Sequence, residues 1–223
     1  MTNGSGRTPA SAWQEMTRGN DRFVAGEPLH PRQDVERRAE VMTAQEPIAA
    51  LFGCSDSRLS AEIIFDKGIG DLFVIRNAGQ VISESVIGSL EYAVAVLHVP
   101  LIVVLGHDSC GAVLAAIDSQ TADATPLPPH IAGLISRIVP AVRRVAGNDG
   151  AFNAQGTIDS SLVDSRDVGR EHLRDTIAEL LEESELISDA IATGTLTIVG
   201  ANYSLLVGRA DPDIVVGTLE TAE

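Results

Sequence analysis

The chain is poor in cysteine, poor in basic residues and free of any long apolar opening segment, and each shortage removes a class of function. Lys and Arg number 16 against 31 Asp and Glu, a formal net charge of -15 over 223 residues. A surface of that sign repels phosphate backbones and anionic headgroups, so nucleic acid and an acidic membrane surface are excluded as partners. Residues 1–11 mix Gly, Ser, Thr and Pro with no apolar stretch. Neither a signal peptide nor a membrane anchor is expected, and a cytoplasmic location follows. There is no internal repeat and no long low-complexity segment. The 2 cysteines sit in a compartment that disfavours a disulfide, which leaves them as apolar filler or as ligands. The length supports one domain with a substantial core, with residues 1–28 read as a helical arm.

Residues 101–105, Leu-Ile-Val-Val-Leu, form an apolar run rich in β-branched residues and closed by Gly106, which predicts a buried parallel strand. His107 and Cys110 follow at once, where the chain must leave the strand for a helix whose apolar face continues through Ala112, Val113, Ala115 and Ala116. A helix beginning near Asp108 would point His107 and Cys110 the same way out of its first turn. Cys54 has the same setting: an apolar run from Ile48, then Gly53, then Cys54-Ser-Asp-Ser-Arg58. Ligand crevices in open parallel sheets form beyond the strand carboxyl ends where connections diverge, so two neighbouring strands of this pattern bring Cys54, His107 and Cys110 together. Imidazole nitrogen and thiolate sulfur suit a borderline-soft ion such as Zn²⁺. Three such donors leave the fourth tetrahedral position to water or a carboxylate, as a catalytic rather than a structural ion requires.

The remaining pattern is α/β with a mostly parallel sheet of four strands plus a C-terminal edge strand, flanked by helices. Strands are predicted over 48–53, 72–76, 101–105, 196–199 and, at the edge, 214–219. Helices are predicted over 9–26, stopped by Gly26, over 33–43, over 60–65 with Ser60 as N-cap, over 83–98, over 134–145 and over 166–193. Residues 119–129 and 146–160 read as loops. The helix over 83–98 is apolar nearly all round, which marks it as buried or as an interface helix. The first helix either packs on its own domain or crosses onto a second subunit.

Cys54-Ser-Asp-Ser-Arg58 followed by His107-x-x-Cys110-Gly111 resembles the β-class carbonic anhydrases, and the similarity runs from the first helix to Tyr203. The resemblance implies one such domain over 1–223 and one Zn²⁺ per chain on Cys54, His107 and Cys110. It implies reversible hydration of CO₂ to bicarbonate and a proton, by attack of zinc-bound hydroxide that an Asp56–Arg58 pair orients. In a closed form, Asp56 leaves Arg58 and takes the fourth position on zinc itself. The implied substrate pocket comprises Gln45, Phe73, Ala78, the backbone N–H of Gly111, and Tyr92 contributed by a neighbouring subunit, hence a homodimer or homotetramer. Ala78 stands where many relatives have valine. A second branch of the family has an inhibitory bicarbonate site; Arg76 and Tyr203 match it, but Leu51 replaces its tryptophan, so that site is not expected.

Two thiolates cancel the formal charge of Zn²⁺, so water here is harder to deprotonate than beside three neutral imidazoles, and a carboxylate held by Arg compensates. Two other readings share these residues. One is hydrolysis of CS₂ or COS on the same fold; the other is a non-catalytic zinc protein for assembly or bicarbonate sensing, which would have lost Asp56 or Arg58. His30, His98, His130 and His172 have no ligand-spaced partner and read as structural or surface.

Overall fold

β-Branched and apolar runs bounded by Gly and Pro become the strands of one sheet in the computed structural model, which describes residues 6–219. The strands are β1 (Ala49–Cys54), β2 (Leu72–Asn77), β3 (Leu101–His107), β4 (Thr197–Tyr203) and β5 (Ala210–Val216), in the order β2-β1-β3-β4-β5. The first four are parallel and β5 runs antiparallel to β4. From β1 the chain moves to one edge, and from β3 to the other. The connections therefore diverge between β1 and β3, and a crevice opens beyond their carboxyl ends.

The helices are α1 (Pro9–Ala25), α2 (Val35–Glu40), α3 (Ala61–Ile64), α4 (Glu84–Ala95), α5 (Gly111–Asp118), α6 (Pro129–Ser136), α7 (Val139–Asn148), α8 (Ser165–Glu183) and α9 (Glu185–Ala192). They cover both faces of the sheet, so its central strands are buried on both sides. Leu101, Val103 and Leu105 join one core with residues of α1, α3, α5 and α7, while Ile102 and Val104 join another with residues of α4, α8 and α9. Every residue of β1 and β3 is buried. At roughly 1.5–3 kcal/mol per large apolar side chain, these two strands anchor the fold and with it whatever sits at their ends.

Some expected boundaries move. The helix after β3 starts at Gly111 with Cys110 as its N-cap, so His107 and Cys110 do not share a helical turn: one ends a strand and the other begins a helix. Ser109, at φ 51°, makes the reversal between them. The helix expected over 134–145 is two, α6 and α7, and that expected over 166–193 breaks at Ser184, whose hydroxyl accepts the Ile187 N–H and caps α9. Residues 146–148 prolong α7 instead of opening a loop. β5 begins at Ala210, earlier than its apolar residues suggest. Its Pro212 pairs with Ala201 where the ladder shifts register, and an edge strand tolerates the missing N–H. In α4 only Val86, Leu90 and Ala93 are buried, while Tyr92 is 45% exposed and Val96, the residue that caps the helix, 54%; within one chain α4 is a half-covered helix.

The first helix packs on its own body. Thr8 and Ser11 form a capping box, Pro9 opens the helix and Gly26 closes it in the left-handed conformation. Ala12 and Met16 are fully buried. Asn20 donates to Ile64 O and Gly208 O and accepts the Ala210 N–H, which ties α1 to α3 and to the start of β5. No helix among the described residues is long and apolar enough to cross a membrane.

Asp66 provides a second tie. Its buried carboxylate accepts from Arg22 Nε at 2.6 Å and from the N–H groups of Leu29 and His30. Burial pushes this carboxyl up, but the Leu29 N–H, Arg22 and the His30 N–H together outweigh it and hold the pKa below its ordinary value. A carboxyl depressed in the folded state contributes stability above its unfolded pKa of about 3.9 and loses it as pH falls through the folded value. Asp66→Asn is expected to cost about 1–3 kcal/mol near neutrality and to flatten the fall of stability below about pH 4. Urea melts of both proteins at several pH values measure this, and parallel pH curves would contradict it.

Candidate metal centre

Cys54 ends β1, His107 ends the neighbouring β3 and Cys110 caps α5. Pairing of Gly53 with Leu105 sets the register, and the three side chains meet in the crevice beyond. Their ligand atoms all lie within 4.8 Å of one another, and all three residues are buried. This is the grouping of three that the strand-Gly-ligand pattern predicts.

Each donor is prepared for an ion. His107 Nδ1 lies 2.9 Å from Asp108 O; a carbonyl can only accept, so the ring proton sits on Nδ1 and Nε2 carries the lone pair. That Nε2 is buried and has no hydrogen-bond partner among the described residues. The Cys110 thiol, donating toward Cys54, holds the Cys54 pKa well below its ordinary value, with further help from His107 and the Gly79 N–H. Cys110 is pushed up in turn by the Cys54 sulfur and by burial, although the N–H groups of Val113 and Ala112 at the start of α5 favour its thiolate. Ionisation of Cys54 therefore opposes ionisation of Cys110 beside it. A divalent cation removes that conflict and satisfies His107 Nε2 at the same time, so the residues present fit Zn²⁺.

Asp56 and Arg58 border the cluster on the turn after Cys54. Arg58 donates through Nε to Oδ1 at 2.8 Å and through Nη2 to Oδ2 at 2.6 Å, and its own backbone N–H reaches Oδ1 at 3.0 Å. The Arg58 hydrogen bond holds the Asp56 carboxyl far below the usual carboxylate range, against a smaller opposing push from burial. Of the two positions expected for Asp56, this structure has the one on Arg58. Arg58 Nη2 also donates to Ser109 O at 3.2 Å, so one guanidinium links the Cys54 turn to the turn between His107 and Cys110.

The substrate residues expected from the sequence divide into two groups. Ala78 is exposed beside Gly79, whose N–H donates to Cys54 Sγ at 3.4 Å, and Gly111 is exposed at the first position of α5 with open space around it. Gln45, Phe73 and Tyr92 lie elsewhere. Gln45 is exposed before β1, at the end of the strand remote from Cys54. Phe73 pairs with Ala50, four residues short of Cys54, about 13 Å back along the strand. Tyr92 faces Phe73 with ring centroids 6.0 Å apart. These three are not brought to the Cys54 cluster of their own chain.

Arg76, matched above to an inhibitory site, donates to Cys54 O at 2.9 Å and Asp56 O at 2.6 Å and so braces the ligand turn. Tyr203 instead lines a cavity of about 370 Å³ with His107, Asp108 and Arg166, in which Arg76 takes no part. Leu51 is buried in the core. Sequence reasoning also missed the Gly79 N–H contact with Cys54; a backbone donor leaves no residue-type signal.

The carbonic anhydrase family model matches residues 49–210. Carbonic anhydrase 2 of Mycobacterium tuberculosis is 48% identical over 202 residues, 91% of this chain and 91% of that protein. The carbonic anhydrase of Mycolicibacterium smegmatis is 45% identical over 203 residues, 91% and 92% of the two chains. One of the crystal structures of two tetrameric β-carbonic anhydrases from Sordaria macrospora aligns with a TM-score of 0.64 over 90% of this chain and 95% of that one, at 22% identity; that likeness bears on the fold. The matched span contains both ligand strands and the turns that carry Asp56, Arg58 and Cys110, and the mycobacterial relatives extend the match to nearly the whole chain. The chain therefore belongs to the β-class carbonic anhydrase family and is an enzyme of the reversible hydration of CO₂ to bicarbonate and a proton.

Proposed function

We propose that Cys54, His107 and Cys110 hold one Zn²⁺ per chain and that Asp56, kept in place by Arg58, orients the reacting water beside them. The observation that carries this reading is the buried Nε2 of His107, without a hydrogen-bond partner among the described residues, facing the two buried sulfurs of Cys54 and Cys110. Bound zinc supplies the Lewis acidity that makes water a nucleophile near neutral pH. Asp56, ionised and held at both oxygens, is an acceptor only; it takes a hydrogen bond from water and thereby aims a lone pair at the carbon of CO₂. Arg58 keeps that carboxylate from turning inward as a ligand, and through Ser109 O it keeps the two ligand turns in register. Ala78 gives CO₂ an apolar wall with room, and the Gly111 N–H, at the start of a helix, faces the oxygen on which negative charge develops.

Gln45, Phe73 and Tyr92 complete the pocket of a second copy. Their position supports this: β2 is an edge strand, and the exposed Tyr92 stacks on Phe73 beside that edge. The active form is then at least a homodimer, and a homotetramer like that of the Sordaria proteins is compatible with it. Cytoplasmic residence accords with the charge balance and with free thiols serving as ligands.

The test is one zinc-loaded preparation assayed with CO₂, COS and CS₂ side by side, with sedimentation at the assay concentration. CO₂ hydration by a dimer or larger species is expected. Faster turnover of COS or CS₂, or a fully active monomer, would overturn the corresponding part of the reading.

A further inference from the structure

Behind the metal centre, α8 presses a histidine against the turn that contacts Cys54. His172 is 3% exposed, and its Nε2 lies 2.7 Å from Gly79 O. The partner is a carbonyl, so Nε2–H donates and the proton is fixed there. Nδ1 is buried with no hydrogen-bond partner among the described residues, and burial holds the imidazole pKa below its ordinary value, so the ring is neutral. An apolar side chain of similar size would fill the space without stranding a nitrogen. A buried imidazole satisfied on one side only points to a use for the side that is satisfied.

That use lies one residue further on. Gly79 and Gln80 both have positive φ, 80° and 44°, and the tight turn they make is closed beneath by Asn77, whose amide both donates to Val81 O and accepts the Val81 N–H. At its apex, the Gly79 N–H donates to Cys54 Sγ at 3.4 Å. A β-carbon at residue 79 would lie 2.9 Å from Ala112 Cβ and 3.0 Å from Ile138 Cδ1, so packing requires glycine there, and glycine is the residue least able to hold its own orientation. The Thr176 hydroxyl, one turn along α8, donates to His172 O at 2.8 Å and lies 3.3 Å from Gln80 O. We propose that His172 is a positioning residue for the metal centre: by fixing the Gly79 carbonyl it aims the Gly79 N–H at Cys54 Sγ and so limits the charge that this sulfur donates to the ion. A thiolate that accepts an N–H bond is a weaker donor and leaves its ion a stronger Lewis acid.

The inference rests on Cys54 being a ligand, and the experiment separates the two ideas. Cobalt(II) is substituted for zinc in the full-length enzyme, and the thiolate-to-metal charge-transfer band is recorded for wild type, His172→Leu and His172→Gln. In His172→Leu the band moves to longer wavelength and kcat for CO₂ hydration by the zinc enzyme falls about tenfold, with KM unchanged. His172→Gln, whose amide N–H reaches a similar point, restores both. A folded His172→Leu enzyme with an unmoved band and unchanged kcat overturns the proposal. If His172→Leu does not fold, His172→Asn, polar but with its donor drawn back, is read by the same two measurements and the same criteria. Absence of any thiolate band in the wild type would instead refute Cys54 as a ligand.

Discussion

Cys54→Ser and His107→Ala are each expected to leave a folded protein with almost no bound zinc and with CO₂ hydration reduced by about three orders of magnitude or more, the loss that corresponds to several kcal/mol of transition-state stabilisation. The ligands close the ends of strands whose own stability comes from the core: Ala49 to Phe52 and Leu101 to Leu105 are buried with or without an ion. Cys54→Ser changes the volume of a buried side chain little, and serine oxygen is a poor substitute for a thiolate toward Zn²⁺. In His107→Ala, the buried lone pair that has no partner among the described residues disappears. Elemental analysis beside far-ultraviolet circular dichroism checks both statements. Full zinc content in both variants would refute the ligand set, and loss of the fold would show that the ion supports the sheet as well as the chemistry.

Asp56→Asn is expected to keep zinc and lose activity by about 10²–10³-fold, within the range of a positioned proton-handling group. The amide cannot reproduce what Arg58 now holds. One of its atoms becomes a donor facing either the guanidinium or the reacting water, and neither can accept in the way required. Because Arg58 holds the Asp56 carboxyl far below the usual range, the group is ionised at every pH at which the enzyme is assayed. Its removal should therefore lower the pH–activity curve without moving its midpoint. A shifted midpoint would mean that Asp56 is itself the titrating group, and unchanged activity would mean that it does not orient the reaction.

The grouping of Cys54, His107 and Cys110 was legible because its signal is local: an apolar run, a glycine and a metal-binding residue type, written twice. The spacing of His107 and Cys110 did not reveal that they sit on different elements, since three residues bridge one helical turn as easily as a strand end and an N-cap. The breaks at Ile138 and Ser184 were hidden because apolar periodicity continues across both, and the caps that stop the helices are ordinary residues. Asp211-Pro212-Asp213 falls outside the strand predicted over 214–219, yet lies in an edge strand, where an absent N–H carries no penalty. Phe73 and Tyr92 show a different limit. Periodicity gives the face on which a residue lies, not whose pocket that face completes. Arg76, Gly79 and His172 act through backbone atoms, which no residue pattern displays.

The bonds of Asn20 to Gly208 and Ala210 span 188 and 190 residues, and they set an order of events during synthesis. α1 emerges from the ribosome long before β5, yet two of the three backbone groups that its asparagine satisfies belong to Gly208 and Ala210, at the entry to β5. Until that entry exists, Ile64 O is the one partner of the three that the Asn20 side chain can reach, and Phe23, which lies against Gly208, lacks that neighbour. Docking of α1 is thus completed only once β5 has been made, and until then part of an amphipathic helix stays open to chaperones and proteases.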